Sequence, residues 1–327
     1  MKQTADVTCV GEALVDFVSM QTGTTLVGAS EFLKSAGGAA ANVAVGVAKL
    51  GARSAFVGWV GRDSFGDFLH RELKNAKVDI AGLRHHPQHK TRLAFVALRR
   101  SGERFFEFWE RQPADARLTI RDVRLGRISS SRIVHLSSFL LLDEPARSTV
   151  LQLAEILRKK EVCISFDPNL RLSLWKSRRL AKELHLELIR RCTILRLNEE
   201  EALFLSGMKS LSAAASKLKQ VGPEIVVVTL GASGCYFRTE STTANVPGFD
   251  VKVVDTTGCG DAFLAGLLYG LAGYPGILRS LSRDELIRIC RFANAVGALT
   301  AMKNGVFPAL PGLAKVRHFM STRRPTR

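Results

Sequence analysis

The sequence predicts an α/β fold in which helices cover a mostly parallel sheet and a small second sheet lies over one edge. Three observations carry this. Short apolar, β-branched runs alternate with helix-length runs through most of the 327 residues, as in successive βαβ units. No repeat and no Pro- or Gly-rich linker divides the chain, so residues 1–327 read as a single domain. Two stretches break the alternation and read as extended chain without crossover helices. Together these describe a Rossmann-like three-layer α/β/α sandwich with a small β-sheet lid.

The strand-like runs are 7–10, 55–59, 133–136, 163–167, 194–197, 225–229 and 251–254. Helix-like runs lie at 39–50, 67–76, 147–159, 179–191, 212–221 and 283–302, and an almost wholly apolar segment after Asp261 has the length of a buried helix. The first irregular stretch is 17–35. The second pairs 91–98 with 103–109 through Arg99-Arg100-Ser101-Gly102, a link of hairpin character. The lid is therefore expected from about residues 12–36 and 88–112, placed to keep water from a site at the carboxyl edge of the main sheet. Residues 321–327 are expected to form a disordered tail.

With 46% hydrophobic and 24% charged residues, the composition is that of an ordinary globular protein large enough to bury a core. No apolar run approaches the ~18 residues of a spanning helix. The strand at 7–10 follows so soon that it leaves no room for a signal peptide. Six scattered cysteines without a CxxC pair suggest reduced, buried thiols, and a cytoplasmic location is expected. The net charge of +17 is spread along the chain without a zinc-finger or RNA-binding signature. It reads as solvated surface that steers anionic ligands, with no specific nucleic-acid partner and no membrane.

The chemistry-bearing segment is Asp255-Thr256-Thr257-Gly258-Cys259-Gly260-Asp261. A strand at 251–254 is expected to end here in a glycine-bracketed turn that opens the apolar helix. The free amides of that first turn make an anion site, and the glycines let a phosphate approach the backbone. Asp261 reads either as a base beside that site or as a helix N-cap, and the residues alone leave both readings open. A second element, Gly37-Gly38-Ala39-Ala40-Ala41-Asn42, suits a ligand resting on backbone, with Asn42 turned to hydroxyls, or tight helix–sheet packing. Asp16, after the first strand, reads as a polyol acceptor or a turn acid. No Gly-x-x-x-x-Gly-Lys-[Ser/Thr] loop is present, which argues against a P-loop mechanism.

The Gly-Gly-Ala-Ala-Ala-Asn and Asp-Thr-Thr-Gly-Cys-Gly-Asp segments, roughly 220 residues apart, resemble the two signatures of the ribokinase-like (PfkB) carbohydrate kinases. Between them, Asn198-Glu199-Glu200-Glu201 is similar to the family's Asn-x-x-Glu element. Thr229-Leu230-Gly231-Ala232-Ser233-Gly234 is similar to its nucleotide-binding turn. Phe292-Ala293-Asn294-Ala295, with Gly305 to Pro311, resembles its adenine-side helix and closing segment. The likeness runs from Val7 to Pro311. Segments such as Gly11-Glu12-Ala13-Leu14-Val15-Asp16-Phe17 and Asp167-Pro168-Asn169-Leu170-Arg171 resemble the fructokinase subgroup in particular.

The resemblance implies a ribokinase-like fold and ATP-dependent phosphoryl transfer to a sugar hydroxyl, fructose first among the sugars. It implies Asp261 as base, and Gly258, Cys259 and Gly260 with Asp261 as the amide anion hole. Asp16, Gly37, Gly38 and Asn42 would bind the sugar. Glu144 joins them by its place after a strand, and Arg171 because Asp167-Pro168-Asn169 delivers it from a strand end, where open α/β sheets bind ligands. Asn198, Glu201, Thr229, Gly231, Gly234 and Asn294 would hold ATP. Asn198 and Glu201, i and i+3 on a helix, would organise Mg²⁺ through water. Their other reading is an acid-rich helix N-terminus stabilised by the dipole. A K⁺ beside Asp255 and Thr257 and a homodimer through the lid are further implications.

Two departures stand out. Cys259 replaces the usual alanine, and Glu110 precedes the arginine expected after Phe108-Trp109. The other readings are a 2-keto-3-deoxygluconate kinase, a ribose, nucleoside or sugar-phosphate kinase of the same family, and a non-catalytic regulatory or nucleic-acid-associated homologue.

Overall fold

The structure is a computed structural model that describes residues 5–21, 23–98, 104–109, 112–323 and 325–326. In chain order its elements are β1 (Val7–Val10), β2 (Leu14–Ser19), β3 (Phe32–Gly37), α1 (Ala39–Lys49), β4 (Ser54–Gly61), α2 (Ser64–Asn75), β5 (Asp79–His86), β6 (Leu93–Leu98), β7 (Arg104–Trp109), α3 (Leu125–Ile128), β8 (Ile133–Ser137) and α4 (Ala146–Lys159). There follow β9 (Cys163–Asp167), α5 (Arg178–Ile189), β10 (Ile194–Asn198), α6 (Glu199–Ser206), α7 (Leu211–Val221), β11 (Ile225–Thr229), β12 (Cys235–Arg238), β13 (Thr243–Val246), α8 (Cys259–Gly273), α9 (Arg283–Ala301) and α10 (Leu313–Thr322).

Nine strands form the main sheet in the order β13-β12-β11-β10-β9-β8-β1-β4-β5. It is parallel from β11 to β5, with β12 and β13 adding an antiparallel edge. The period of two along each strand divides the core. Ile225 and Val227 face one hydrophobic cluster with α1, α2, α8, α9 and α10, while Val226 and Val228 face the other with α4, α5, α6 and α7. Strands buried on both faces read as unbroken apolar runs, and β11, Ile-Val-Val-Val-Thr, is the clearest case. Helix α8 is apolar all round because it packs against both α1 and α9.

The second sheet has the order β3-β2-β6-β7. Its β7 turns Phe108 onto Phe139 of the main body, with ring centroids 5.5 Å apart. The link expected at 99–102, and Glu110, lie outside the described residues. Among those described, no helix is long and apolar enough to cross a membrane.

One strand expectation fails. Residues 251–254 pair with no strand; Val254 N and Asp255 N donate instead to Ala301 O at the end of α9. The β-branched run has another use here: Val251 and Val253 line a cleft. Strands β5, β12 and β13 and helix α10 are elements that the sequence reading did not anticipate. Within the segment expected as a tail, Ser321 and Thr322 close α10, and Thr326 N donates to Gly248 O at 2.9 Å.

Candidate functional site

Helix α8 begins on Gly258, whose left-handed conformation (φ 71°) turns the chain into the first helical turn without a side-chain cap. Cys259 N donates to Thr256 O at 3.2 Å, and Ala262 N closes the first intrahelical bond on Gly258 O. The amides of Gly260 and Asp261 lie in that first turn, where the helix itself offers no acceptor. Asp261 sits in that first turn, next to the cleft-lining Gly260, and Asn42 Nδ2 donates to its Oδ2 at 2.7 Å. Burial first, then the nearby Asp167 and Glu12 carboxylates, push Asp261 up to about 7, against the opposing pull of Asn42 and Arg196. Such an acid changes its charge near neutral pH, as a working base must.

Asn42 is held from the other side of the fold. Gly38 has no side chain with which to cap α1, so Glu12 does so from the loop after β1. Its Oε1 accepts from Ala39 N at 2.6 Å and Ala40 N at 3.4 Å, and its other oxygen accepts from Ser137 Oγ at 2.5 Å. Burial raises the Glu12 pKa. Asn42 Oδ1 is buried and without a partner, an acceptor left over beside Asp261. Asp16 lies on β2 opposite Ser35 and beside Gly37; a Cβ on Gly37 would fall 2.1 Å from Asp16 Oδ2. Arg171 arches over the small sheet, its guanidinium 5.6 Å from the Phe106 ring centroid. Glu144 is engaged elsewhere: it accepts from Ser148 N at 3.1 Å and faces Arg147, capping α4 with its side chain 53% exposed.

A charged network joins the strand ends beneath α8. Arg196 on β10 donates from Nη1 to Asp167 Oδ2 at 2.8 Å and from Nη2 to Thr229 Oγ1 at 2.7 Å. Asn198 and Glu201 form a reciprocal capping box on α6, and Glu201 also accepts from Leu170 N at 2.7 Å. The acid-rich helix start is thus real, and Glu201 ties the loop after β9 to it. Burial and Asp167 raise the Glu201 pKa. Each of its oxygens already takes one backbone amide, so the residue fits a cation held through water better than one bound directly. Among the described residues no group of three or more His, Cys, Asp or Glu is placed to chelate a metal.

Beside this network opens a cleft of about 560 Å³, lined by Arg196, Thr229, Gly231, Gly234, Gly260 and Asn294 among others, a volume within the range of small-molecule sites. Asn294 Nδ2 donates to Val246 O and Pro247 O, both at 3.0 Å, and so secures the wall after β13. Asp255 Oδ1 accepts from Thr257 N and Oγ1, each at 2.7 Å, and its Oδ2 accepts from Gly305 N at 3.2 Å. That carboxylate staples the turn before α8 to the loop after α9. The Cys259 thiol, 3.8 Å from Asp255 O, borders the same cleft.

Sequence reasoning missed Glu12, Asp167 and Arg196. The signal for two of them was present as a charge interrupting an apolar run, in Val10-Gly11-Glu12-Ala13-Leu14 and Leu195-Arg196-Leu197. A nucleotide-sized cleft, an amide-lined helix start and an acid near neutrality together define a phosphotransferase-like site on an open α/β sheet. The chain belongs to the pfkB family of carbohydrate kinases, whose profile matches residues 4–311. It is 41% identical over 307 residues to a probable chloroplastic fructokinase-6 of Arabidopsis thaliana, covering 93% of this chain and 79% of that one. A fructokinase from Xylella fastidiosa with bound ATP superposes with a TM-score of 0.89 at 32% identity, covering 97% of this chain and 98% of that one. A fructokinase double mutant from Vibrio cholerae O395, bound to fructose, ADP and potassium ion, gives 0.86 at 33%, covering 98% and 99%.

Proposed function

We propose that this kinase transfers the γ-phosphoryl group of ATP to fructose, giving fructose 6-phosphate, with Asp261 as base. The observation that carries the reading is the Asp261 carboxyl, raised toward neutrality and oriented by Asn42, at the amide-rich start of α8 beside the large cleft. ATP lies in that cleft with its phosphates toward Gly260. The fructose hydroxyl gives its proton to Asp261, its oxygen forms a bond to the γ-phosphorus, and the bridging P–O bond breaks to release ADP. The Gly260 and Asp261 amides of the Gly258–Asp261 turn take up charge that grows on the transferring group, while the Cys259 amide is already given to Thr256 O. Asp16, Gly37, Gly38 and the unpartnered Asn42 Oδ1 hold the sugar hydroxyls. Asn198 and Glu201 would hold Mg²⁺ through water, and the ion would supply neutralisation of phosphate charge there. Asp255 and Thr257 order the turn beside a K⁺ site, a reading supported by the potassium-bound relative.

A second reading, a 2-keto-3-deoxygluconate kinase, draws on Arg171 beside Phe106, because a guanidinium at that edge suits a sugar-acid carboxylate. Coupled ADP release from Mg-ATP with fructose, 2-keto-3-deoxygluconate, ribose, adenosine and fructose 6-phosphate decides between them. Strong turnover on fructose alone is expected. Turnover on the sugar acid alone moves the assignment to the second reading, and silence across the panel removes both. A cytoplasmic location is part of this reading and is supported by six cysteines of which none forms a disulfide.

A further inference from the structure

Arg196 is 8% exposed, yet it lines the cleft beside the start of α8. Burying a guanidinium costs several kcal/mol unless partners repay it. Asp167 and Thr229 take one N–H from each Nη, leaving a second on each nitrogen, and the Nε N–H is buried without any partner. Five donors for two acceptors is a surplus that a purely structural arginine has no reason to carry. The neighbouring helix also makes room for it: a Cβ on Gly260 would fall 2.9 Å from both Nη1 and Nη2, so a side chain there would push the guanidinium away from the amide turn. Its position is over-determined, because Asp167 ends β9, Thr229 ends β11 and Arg196 lies on β10 between them. Asp167, Glu201 and Asp261 gather around it, so the site without this cation would repel an incoming polyphosphate.

We propose that Arg196 is a phosphate-binding residue of the nucleotide site, its guanidinium and the Gly260–Asp261 amides forming one anion cradle for the terminal phosphates. The inference rests on the cleft being the ATP site. Arg supplies fixed, planar donors that Lys cannot reproduce at such a place.

Calorimetric titration of Mg-ATP, Mg-ADP and AMP, without sugar, separates this role from scaffolding. Arg196→Met is expected to bind Mg-ATP about ten- to a hundredfold more weakly, the usual weight of a charge-assisted hydrogen bond, while AMP affinity stays within about twofold. Arg196→Lys should recover part of the Mg-ATP affinity and none of the geometry, leaving kcat low. Thermal melts of each variant accompany the titrations, and Arg196→Lys serves alone if the methionine variant does not fold. Equal weakening of Mg-ATP and AMP, or no weakening of either, overturns the proposal while leaving the kinase reading intact. A wild-type protein that binds none of the three nucleotides overturns both.

Discussion

Asp261 carries opposite consequences for activity and for stability. As a base it must be ionised, so kcat/KM is expected to fall about tenfold per pH unit below a midpoint near 7, the value to which burial pushes this carboxyl. Asp261→Asn should lower kcat by about 10²–10⁴-fold and abolish that acid limb. The folded protein holds the Asp261 proton more tightly than the unfolded chain, where the group titrates near its ordinary 3.8. Stability from this group is therefore complete below that value and is lost as pH rises through about 7. The asparagine variant should then melt higher than wild type at pH 8, with the difference shrinking toward pH 5. Scanning calorimetry at the two pH values checks this, and a variant that is dead but no more stable at pH 8 would count against a strained, ionised Asp261.

At the scale of elements, the site depends on two helix starts that lack side-chain caps of their own. Helix α8 leaves its Gly260 and Asp261 amides open beside the cleft. Helix α1 is closed by Glu12, so the two glycine-led starts, alike in sequence, serve different ends. Glu12→Ala would strand the Ala39 and Ala40 amides and the Ser137 hydroxyl in a buried place, at about 1–3 kcal/mol for each buried group left unpaired. The expected result is a clearly lowered melting temperature together with reduced kcat, because α1 also carries Asn42 to Asp261. Loss of stability with full activity would show that α1 holds its position without the cap. Capping of this kind was not legible in the chain, since Glu12 and Ala39 lie 27 residues apart and no local pattern links them.

For the whole molecule, the small sheet leaves β3 and β7 as edges, and β7 exposes Phe105 by 46% and Trp109 by 58%. Exposed aromatic edge strands invite pairing, and we expect a homodimer formed through this sheet. Size-exclusion chromatography with light scattering should give about twice the 35.8 kDa chain mass. Trp109→Glu should shift the mass toward one chain, whereas a wild-type monomer at micromolar concentration would remove the expectation. Such pairing would also steady the sheet that bears Asp16 and Phe106, coupling assembly to sugar affinity.

The parallel sheet was legible because its central strands are buried on both faces, so β9 and β11 stand out as apolar runs with the bounds the structure has. The glycine–acid segment before α8 was legible for a related reason: tight turns and phosphate approach admit few residue types. Residues 251–254 show the limit, as a β-branched run serves a cleft wall as well as a strand. The contacts that build the site were decided by the tertiary fold alone. Asn42 meets Asp261 across 219 residues, and Arg196 reaches Asp167 and Thr229 from separate strands. Local periodicity states which face of an element is buried; which charges then meet depends on how those faces stack.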